Sequence, residues 1–155
     1  MPLNRDLLGR RYPAAVPYEV GRESIRRFAQ AIGDLHPAYV DREAARALGH
    51  PDVIAPPTYL TVLNFRYADA GPVADPDLSL DYAQVVHGSQ SFELHRPVHA
   101  GDVLTSVQSI EEIKDVGRNE VLTTVAEVTD ADGQPVATLR STLVSRGTAA
   151  AKDRR

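Results

Sequence analysis

Four segments in the second half of the chain alternate apolar and polar residues, and turn-forming residues separate them. The segments cover residues 84 to 94, 103 to 113, 121 to 129 and 135 to 145. Successive side chains of a β-strand point to opposite faces, so this alternation is typical of half-buried strands. The sequence Asp-Ala-Asp-Gly at 130 to 133 is a hairpin signal. The pattern predicts an antiparallel sheet, with Val121, Thr123 and Val125 on one face of its third strand.

Helical periodicity dominates the first half. An apolar stripe along residues 22 to 32 consists of Ile25, Phe28, Ala29 and Ile32. Gly33 follows as a stop signal, and a second helix is expected at 41 to 48 with Asp41 as its N-cap. Residues 57 to 68 are apolar nearly all round, which predicts a long buried helix. A short early strand is also expected at 18 to 20. Helices in the first half and an antiparallel sheet in the second half together predict an α+β architecture.

Composition narrows the function classes. A chain of 155 residues is the size of one domain, predicted here as residues 1 to 147 with a disordered tail at 148 to 155. It has no cysteine, which excludes disulfides, thiolate nucleophiles and Cys-type zinc sites. A net charge of −4 argues against nucleic-acid binding. We expect a cytoplasmic protein without a membrane segment, because no apolar run approaches ~20 residues.

Two separated segments support a specific resemblance. Residues 31 to 59 and 85 to 104 resemble the MaoC-like hot-dog dehydratases, in particular the N-terminal-half type, also called the fatty-acid-synthase-I-like dehydratase domain. The nearest likeness is to small non-catalytic subunits of actinobacterial (3R)-hydroxyacyl-thioester dehydratases. The resemblance implies one hot-dog fold, in which a curved antiparallel sheet wraps round a long helix at about 57 to 68. It also implies edge-to-edge dimers, an acyl-CoA or acyl-carrier-protein thioester as ligand, and no cofactor.

The catalytic motif of that family is altered in this chain. Catalytic members carry a pattern like G-D-x-N-P-x-H, and here Gly33, Asp34 and Pro37 match it. His36 stands at the Asn position and Tyr39 at the catalytic His position. A phenol with a pKa near ~10 is a poor base at neutral pH, whereas an imidazole near ~6.5 is a good one.

A second family element also differs at the start of the central helix. Catalytic members have His-Gly there, and this chain has Pro56-Pro57. Proline removes one of the backbone N–H groups that can hold a thioester oxyanion, which leaves those of Thr58 and Tyr59 as candidates.

The candidate site residues each have a structural alternative. The catalytic candidates are Asp34, His36 and His87, and the substrate-binding candidates are Tyr39, Pro57, Thr58, His87 and Gln90. His87 and Gln90 belong to an H-G-x-Q-x-F element of the resemblance. The structural alternatives are a turn carboxylate for Asp34, a loop histidine for His36, a half-buried Tyr39, and a histidine at a sheet bulge for His87.

Two further groups are assigned no site. His95 and His99 are four residues apart, but Pro97 lies between them and excludes the helical spacing of a metal pair. Arg22, Arg26 and Arg27 are interpreted as a solvated helix face, with an acidic carrier protein or a phosphate as the alternative partner.

Three functions remain open from the sequence. The first is an acyl-chain-binding, non-catalytic subunit that pairs with a MaoC-like subunit to dehydrate (3R)-hydroxyacyl thioesters in fatty-acid elongation. The second is a self-sufficient homodimeric enoyl-thioester hydratase that uses His87 or His36 with Asp34. The third is an acyl-thioester-binding module without catalysis.

Overall fold

An antiparallel sheet of six strands is the frame of the protein, described by a computed structural model that covers residues 1–14 and 16–150. Its long strands are β3 (Val85–Leu94), β4 (Val103–Val116), β5 (Asn119–Thr129) and β6 (Pro135–Ser145). The short strands β1 (Arg11–Pro13) and β2 (Tyr18–Glu19) both pair with β4. The strand order is β1-β4-β5-β6-β3. The predicted α+β class and its four long strands are confirmed, and β1 is an addition.

The helices cover one face of this sheet or connect to it. They are α1 (Arg22–Ile32), α2 (Pro37–Val40), α3 (Arg42–Ala47) and α4 (Thr61–Arg66). Short 3-10 helices lie at Arg5–Leu7, Ala68–Ala70, Pro72–Ala74, Pro76–Leu78 and Tyr82–Gln84. The predictions for α1 and α3 are confirmed, including the Asp41 side chain that caps the N-terminus of α3. The short helix α2 was not predicted.

The end of α1 fixes where the altered motif begins. Gly33 has a left-handed backbone with φ 73°, which glycine adopts without steric cost. Its N–H donates to the carbonyl of Gln30, and the N–H of Asp34 donates to the carbonyl of Ala29. These two bonds form a Schellman motif, which stops the helix and turns the chain at Asp34.

The central helix is shorter than the predicted 57 to 68. The amides of Tyr59 and Thr61 donate to carbonyls only three residues back, those of Pro56 and Thr58. Such bonds belong to tight turns rather than an α-helix. The chain enters through these turns and becomes α-helical at Thr61.

The central helix is also buried on one side only. Tyr59, Leu60 and Leu63 are at most 1% exposed, whereas Phe65 is 80% exposed. The prediction of burial nearly all round the helix was therefore wrong at Phe65. A large apolar side chain in solvent is the kind of feature that a partner surface covers.

Val121, Thr123 and Val125 share one face of β5 as predicted, and of these only Thr123 is buried, because most buried residues of the strand lie on the opposite face. Leu122, Ala126 and Val128 are buried, while Val121 and Val125 are only partly covered. Both faces of this strand carry β-branched or aliphatic residues, so alternation alone does not say which face meets the helices.

Buried apolar residues form two separate groups. The larger core cluster includes Val20, Ile25, Tyr59, Leu60, Leu63, Ala126, Val128 and Leu139. The smaller core cluster consists of Leu3, Leu7, Leu78, Ile110, Ile113 and Leu122. Both clusters use the inner face of β5, so the core is divided along the length of that strand.

The C-terminal end packs against the sheet as far as it is described. Thr148 is buried, and the amide of Ala149 donates to the carbonyl of Arg118. Residues 151 to 155 of the predicted tail lie outside the described residues, and the boundary at 147 stays a prediction. None of the described helices has the length and apolarity needed to cross a membrane. The cytoplasmic location also stays a prediction.

Candidate functional site

A cavity of about 610 Å³ lies between the central helix and the inner face of the sheet. Thr61, Asn64 and Phe65 of α4 line one side of it. The strands contribute His87, Gln90, Gln108, Thr124, Ser141 and Leu143. A space of this size is within the range that proteins use to bind small organic ligands.

Three polar residues of the cavity stand side by side on neighbouring strands. Thr124 on β5 pairs with Ser141 on β6, and Ser141 pairs with Gln90 on β3. We call these three residues the polar row. Asn64 of the helix donates a long hydrogen bond of 3.5 Å to Gln90 Oε1. The cavity therefore combines apolar walls with uncharged hydrogen-bonding groups and one carboxylate, that of Asp69.

A β-bulge brings His87 and Gln90 to the same side of β3. His87 pairs with Leu143 and Gln90 with Ser141, so three steps on β3 match two steps on β6. The extra residue is Gly88, where an added Cβ would lie 3.0 Å from Thr142 Oγ1. Only glycine fits this approach of the two strands without movement, and the bulge turns both side chains into the cavity.

Gln108 depends on a second glycine. A Cβ at Gly71 would lie 2.9 Å from Oε1 of Gln108, closer than Cβ atoms come to other atoms in proteins. The bare backbone of Gly71 thus leaves room for the Gln108 amide at the wall of the cavity.

The altered motif lies outside the lining of this cavity. Asp34 is exposed, and its carboxylate accepts a hydrogen bond of 3.4 Å from the amide of His36. The Nδ1 atom of His36 accepts from the N–H of Ala38 at 3.2 Å and caps α2. A ring nitrogen that accepts a hydrogen bond carries no proton, so His36 acts here as a structural cap.

Tyr39 is also unsuited to replace a catalytic histidine. Its ring is half-buried against the larger core cluster and lies 5.4 Å from the His36 ring. Burial raises the pKa of the Tyr39 phenol, and the charge of Asp34 raises that pKa further. Both effects disfavour the phenolate that a base would need.

The start of the central helix offers little to a substrate. Pro57 and Thr58 are exposed and do not line the cavity. The amide of Tyr59 already donates to the carbonyl of Pro56 at 2.9 Å, so it is not free for an oxyanion. Of the sequence candidates, the structure brings His87 and Gln90 together, and leaves Asp34, His36 and Tyr39 elsewhere.

The lining also contains polar residues that the sequence patterns did not indicate as site residues, among them Asn64, Gln108, Thr124 and Ser141. A signal for two of them was present, because Thr124 and Ser141 interrupt the apolar positions of their strands. To recognise that Thr124 and Ser141 are neighbours, one needs the register of β5 against β6, which the hairpin at 130 to 133 sets.

The remaining charged and metal-ligating candidates have structural partners. Arg22 binds Asp52 through two hydrogen bonds of 2.9 and 2.7 Å. Arg26 and Arg27 both pair with Glu23. His95 bonds Thr138 and His99 lies against the carbonyl of Ala100. Within the described part of the chain, no group of three potential ligands is placed to hold a metal ion.

Comparison with known proteins gives consistent matches along nearly the whole chain. Residues 6–139 match the family described as "FAS1-like, dehydratase domain region". A UPF0336 protein of Saccharopolyspora erythraea is 53% identical over 149 residues, which is 96% of this chain and 95% of that protein.

Two solved structures are similar in fold and in sequence. The Mycobacterium tuberculosis HadBC complex, described as a (3R)-hydroxyacyl-ACP dehydratase, matches with a TM-score of 0.79 and 31% identity, covering 91% of this chain and 99% of that chain. A MaoC-like dehydratase matches with a TM-score of 0.81 and 32% identity over 90% of this chain. This chain spans only 42% of that longer protein.

Proposed function

Because this chain belongs to the FAS1-like dehydratase domain family, as residues 31 to 59 and 85 to 104 predicted, we propose that it is one subunit of a (3R)-hydroxyacyl-thioester dehydratase. In this proposal it holds the acyl chain of the substrate in its cavity. A MaoC-like partner subunit supplies the catalytic Asp and His.

One observation carries this proposal: the cavity and the altered motif are separate. His87 and Gln90 line a cavity of about 610 Å³, whereas the Asp34 carboxylate is exposed outside that lining and the His36 ring caps a helix. Tyr39 at the position of the family's base has a raised pKa. The chain thus keeps a place for a ligand and lacks the Asp–His pair of the family's motif.

The reaction explains why that pair must come from elsewhere. Dehydration removes a proton from the carbon beside the thioester carbonyl and expels the hydroxyl of the next carbon. That hydroxyl must be protonated to leave as water, and the product is the trans-2-enoyl thioester. A base and an acid positioned together are required, and a titrating imidazole near neutral pH suits this work.

The sheet offers one open edge for a partner. The edge strand β3 has ten residues with a single charged side chain, Glu93. The opposite edge is covered by the short strands β1 and β2, and β1 ends in Pro13. Long uncharged edges pair readily with another strand, whereas short edges with proline do not. We therefore place the partner subunit along β3.

The similar proteins support pairing of two such units. HadBC is described as a complex of a (3R)-hydroxyacyl-ACP dehydratase, and this chain matches it over almost its whole length. The longer MaoC-like dehydratase has more than half of its length outside the match, which leaves room for a second unit in the same chain.

The test is a hydration assay on a trans-2-enoyl-CoA. We expect no activity from the purified chain and activity after mixing with a MaoC-like subunit from the same genome. Asp34→Asn and His36→Asn in this chain should keep the activity of the mixture within a few-fold, because Asn also caps a helix. Full activity of the chain alone would contradict the proposal.

The homodimeric hydratase remains a second candidate because His87 lines the cavity. In that case the chain alone would hydrate the substrate, and His87→Gln would abolish the activity. If acyl-CoA binds but no pairing gives turnover, the chain is a binding module without catalysis.

A further inference from the structure

The polar row divides a core that would otherwise be continuous. On the inner face of the sheet, Leu122 and Leu143 lie to one side of it, and Ala126 and Leu139 lie to the other. Apolar residues at these positions would join the two core clusters and bury more apolar surface. The fold alone does not account for the polar row, which points to a role for these residues in the cavity.

Polar groups in the row and next to it have unused hydrogen-bonding capacity. The hydroxyls of Thr124 and Ser141, and the side-chain amide of Gln108 on the neighbouring strand β4, bond to no other side chain or backbone group in residues 1–14 and 16–150, and none of them is sealed from solvent. All three line the cavity. Polar groups inside proteins are almost always paired, so water or a ligand completes these.

The charge of the lining limits what that ligand can be. The described lining includes the carboxylate of Asp69 and no lysine or arginine, so a phosphate or a carboxylate would be repelled there rather than balanced. Amide and hydroxyl groups can both donate and accept hydrogen bonds. They suit an uncharged oxygen, either a hydroxyl or a carbonyl.

We propose that the cavity selects acyl chains that carry a hydroxyl or keto oxygen beyond the reacting carbons. This inference rests on the proposed function, since it assigns the cavity to the acyl group. A plain hydrocarbon passing the polar row would displace water from Gln108, Thr124 and Ser141 without replacing its hydrogen bonds. An oxygen on the acyl chain restores one of these hydrogen bonds.

The amides of a pantetheine arm share this uncharged chemistry. That arm is identical in every acyl-CoA, so it cannot produce a preference between two acyl groups on the same carrier. Comparison of acyl-CoA pairs that differ by one oxygen therefore separates the two sources.

The experiment is calorimetric titration of the full chain with its MaoC-like partner, using dodecanoyl-CoA and a set of isomeric monohydroxy derivatives with the hydroxyl at C5 or beyond, so that none is the 3-hydroxyacyl substrate. At least one isomer should bind about tenfold more tightly than dodecanoyl-CoA, the factor expected for one net hydrogen bond. Thr124→Val should reduce that preference to less than about threefold. Thr123→Val, the same change on the opposite face of β5, should preserve it.

Two results would overturn the inference while leaving the proposed function intact. One is equal binding of dodecanoyl-CoA and every isomer. The other is a Thr124→Val protein that weakens both kinds of ligand equally, which would assign the row to the pantetheine arm. If no acyl-CoA binds and the mixture has no hydratase activity, the proposed function itself is wrong.

Discussion

Gly88 has the most local influence on the site, because the bulge at this residue turns two side chains into the cavity. An added Cβ would lie 3.0 Å from Thr142 Oγ1 and 3.2 Å from the carbonyl oxygen of Thr142. We expect Gly88→Ala to lower the free energy of unfolding by about 1–3 kcal/mol, the usual cost of overpacking. Urea denaturation measures this loss.

A matched double variant tests the cause of that loss. Thr142→Ala removes one of the two close atoms, so Gly88→Ala should cost less in the Thr142→Ala background than in the wild type. Equal costs in both backgrounds would show that the contact with Thr142 is not the source of the strain.

Tyr59 connects three elements through one hydroxyl. Its OH lies 2.7 Å from Ser24 Oγ and 2.9 Å from Tyr18 OH, and burial raises the pKa of the phenol. Tyr59→Phe keeps the edge-to-face contact with Phe28. The substitution removes one hydrogen-bond partner each from Tyr18 and Ser24, whose hydroxyls keep only each other at 3.1 Å. We expect a loss of about 1–2 kcal/mol in unfolding free energy by urea denaturation.

Tyr82 provides the control for that substitution. It is 74% exposed, and its hydroxyl has no hydrogen bond to the described residues. Tyr82→Phe should change the unfolding free energy by less than about 0.5 kcal/mol. A comparable loss from both variants would mean that the Tyr59 hydroxyl contributes nothing specific.

At the scale of elements, sequence patterns predicted the helix α1 and the strands β3 to β6 because alternation and helical spacing mark the type of an element even where burial departs from them, as at Ile32 and Val86. The central helix differs because it begins with tight turns, which hydrophobicity does not reveal. Both faces of β5 carry apolar residues, so the sequence did not indicate which of them is the inner face. In the site, the likeness to H-G-x-Q-x-F found His87 and Gln90, while Gln108 depends on contact with Gly71, distant in sequence.

Asp52 ties the start of α1 to the segment before the central helix. The two hydrogen bonds from Arg22 hold the pKa of the Asp52 carboxyl below its ordinary value, and Arg42 adds to this effect. A lowered pKa in the folded state gives stability above about pH 4, which is lost as the pH falls below it.

Asp52→Asn removes the stability that the Asp52 carboxylate contributes, and it tests whether that stability is lost at low pH. The difference in unfolding free energy between wild type and variant should be larger at about pH 7 than at about pH 3, measured by urea denaturation. The control is Asp69→Asn, because Asp69 is exposed and pairs with no cation in the described chain. Its difference from wild type should be the same at both pH values, and an equal response of the two variants would contradict the prediction.

At the scale of the whole molecule, the two edges of the sheet are unequal. One edge is the long strand β3, with Val86 43% and Leu94 39% exposed. Phe65 and Tyr82, at the cavity, are exposed as well. Exposed apolar residues beside an unpaired strand are typical of an interface. We infer that the cavity is completed only when a partner covers this edge.

Charge on that edge should therefore prevent assembly without unfolding the chain. In Val86→Glu/Leu94→Glu, two carboxylates would have to lose water or face the partner strand, and we expect the dissociation constant of the complex to rise at least about tenfold. Light scattering over a concentration series, with and without the MaoC-like subunit, measures this change and identifies a homodimer if one forms. Val116→Glu, at the far end of β4 and 51% exposed in the wild type, should leave assembly unchanged. If Val116→Glu weakens the complex as much as the double variant does, the partner does not bind along β3, and the cavity must be completed from another side.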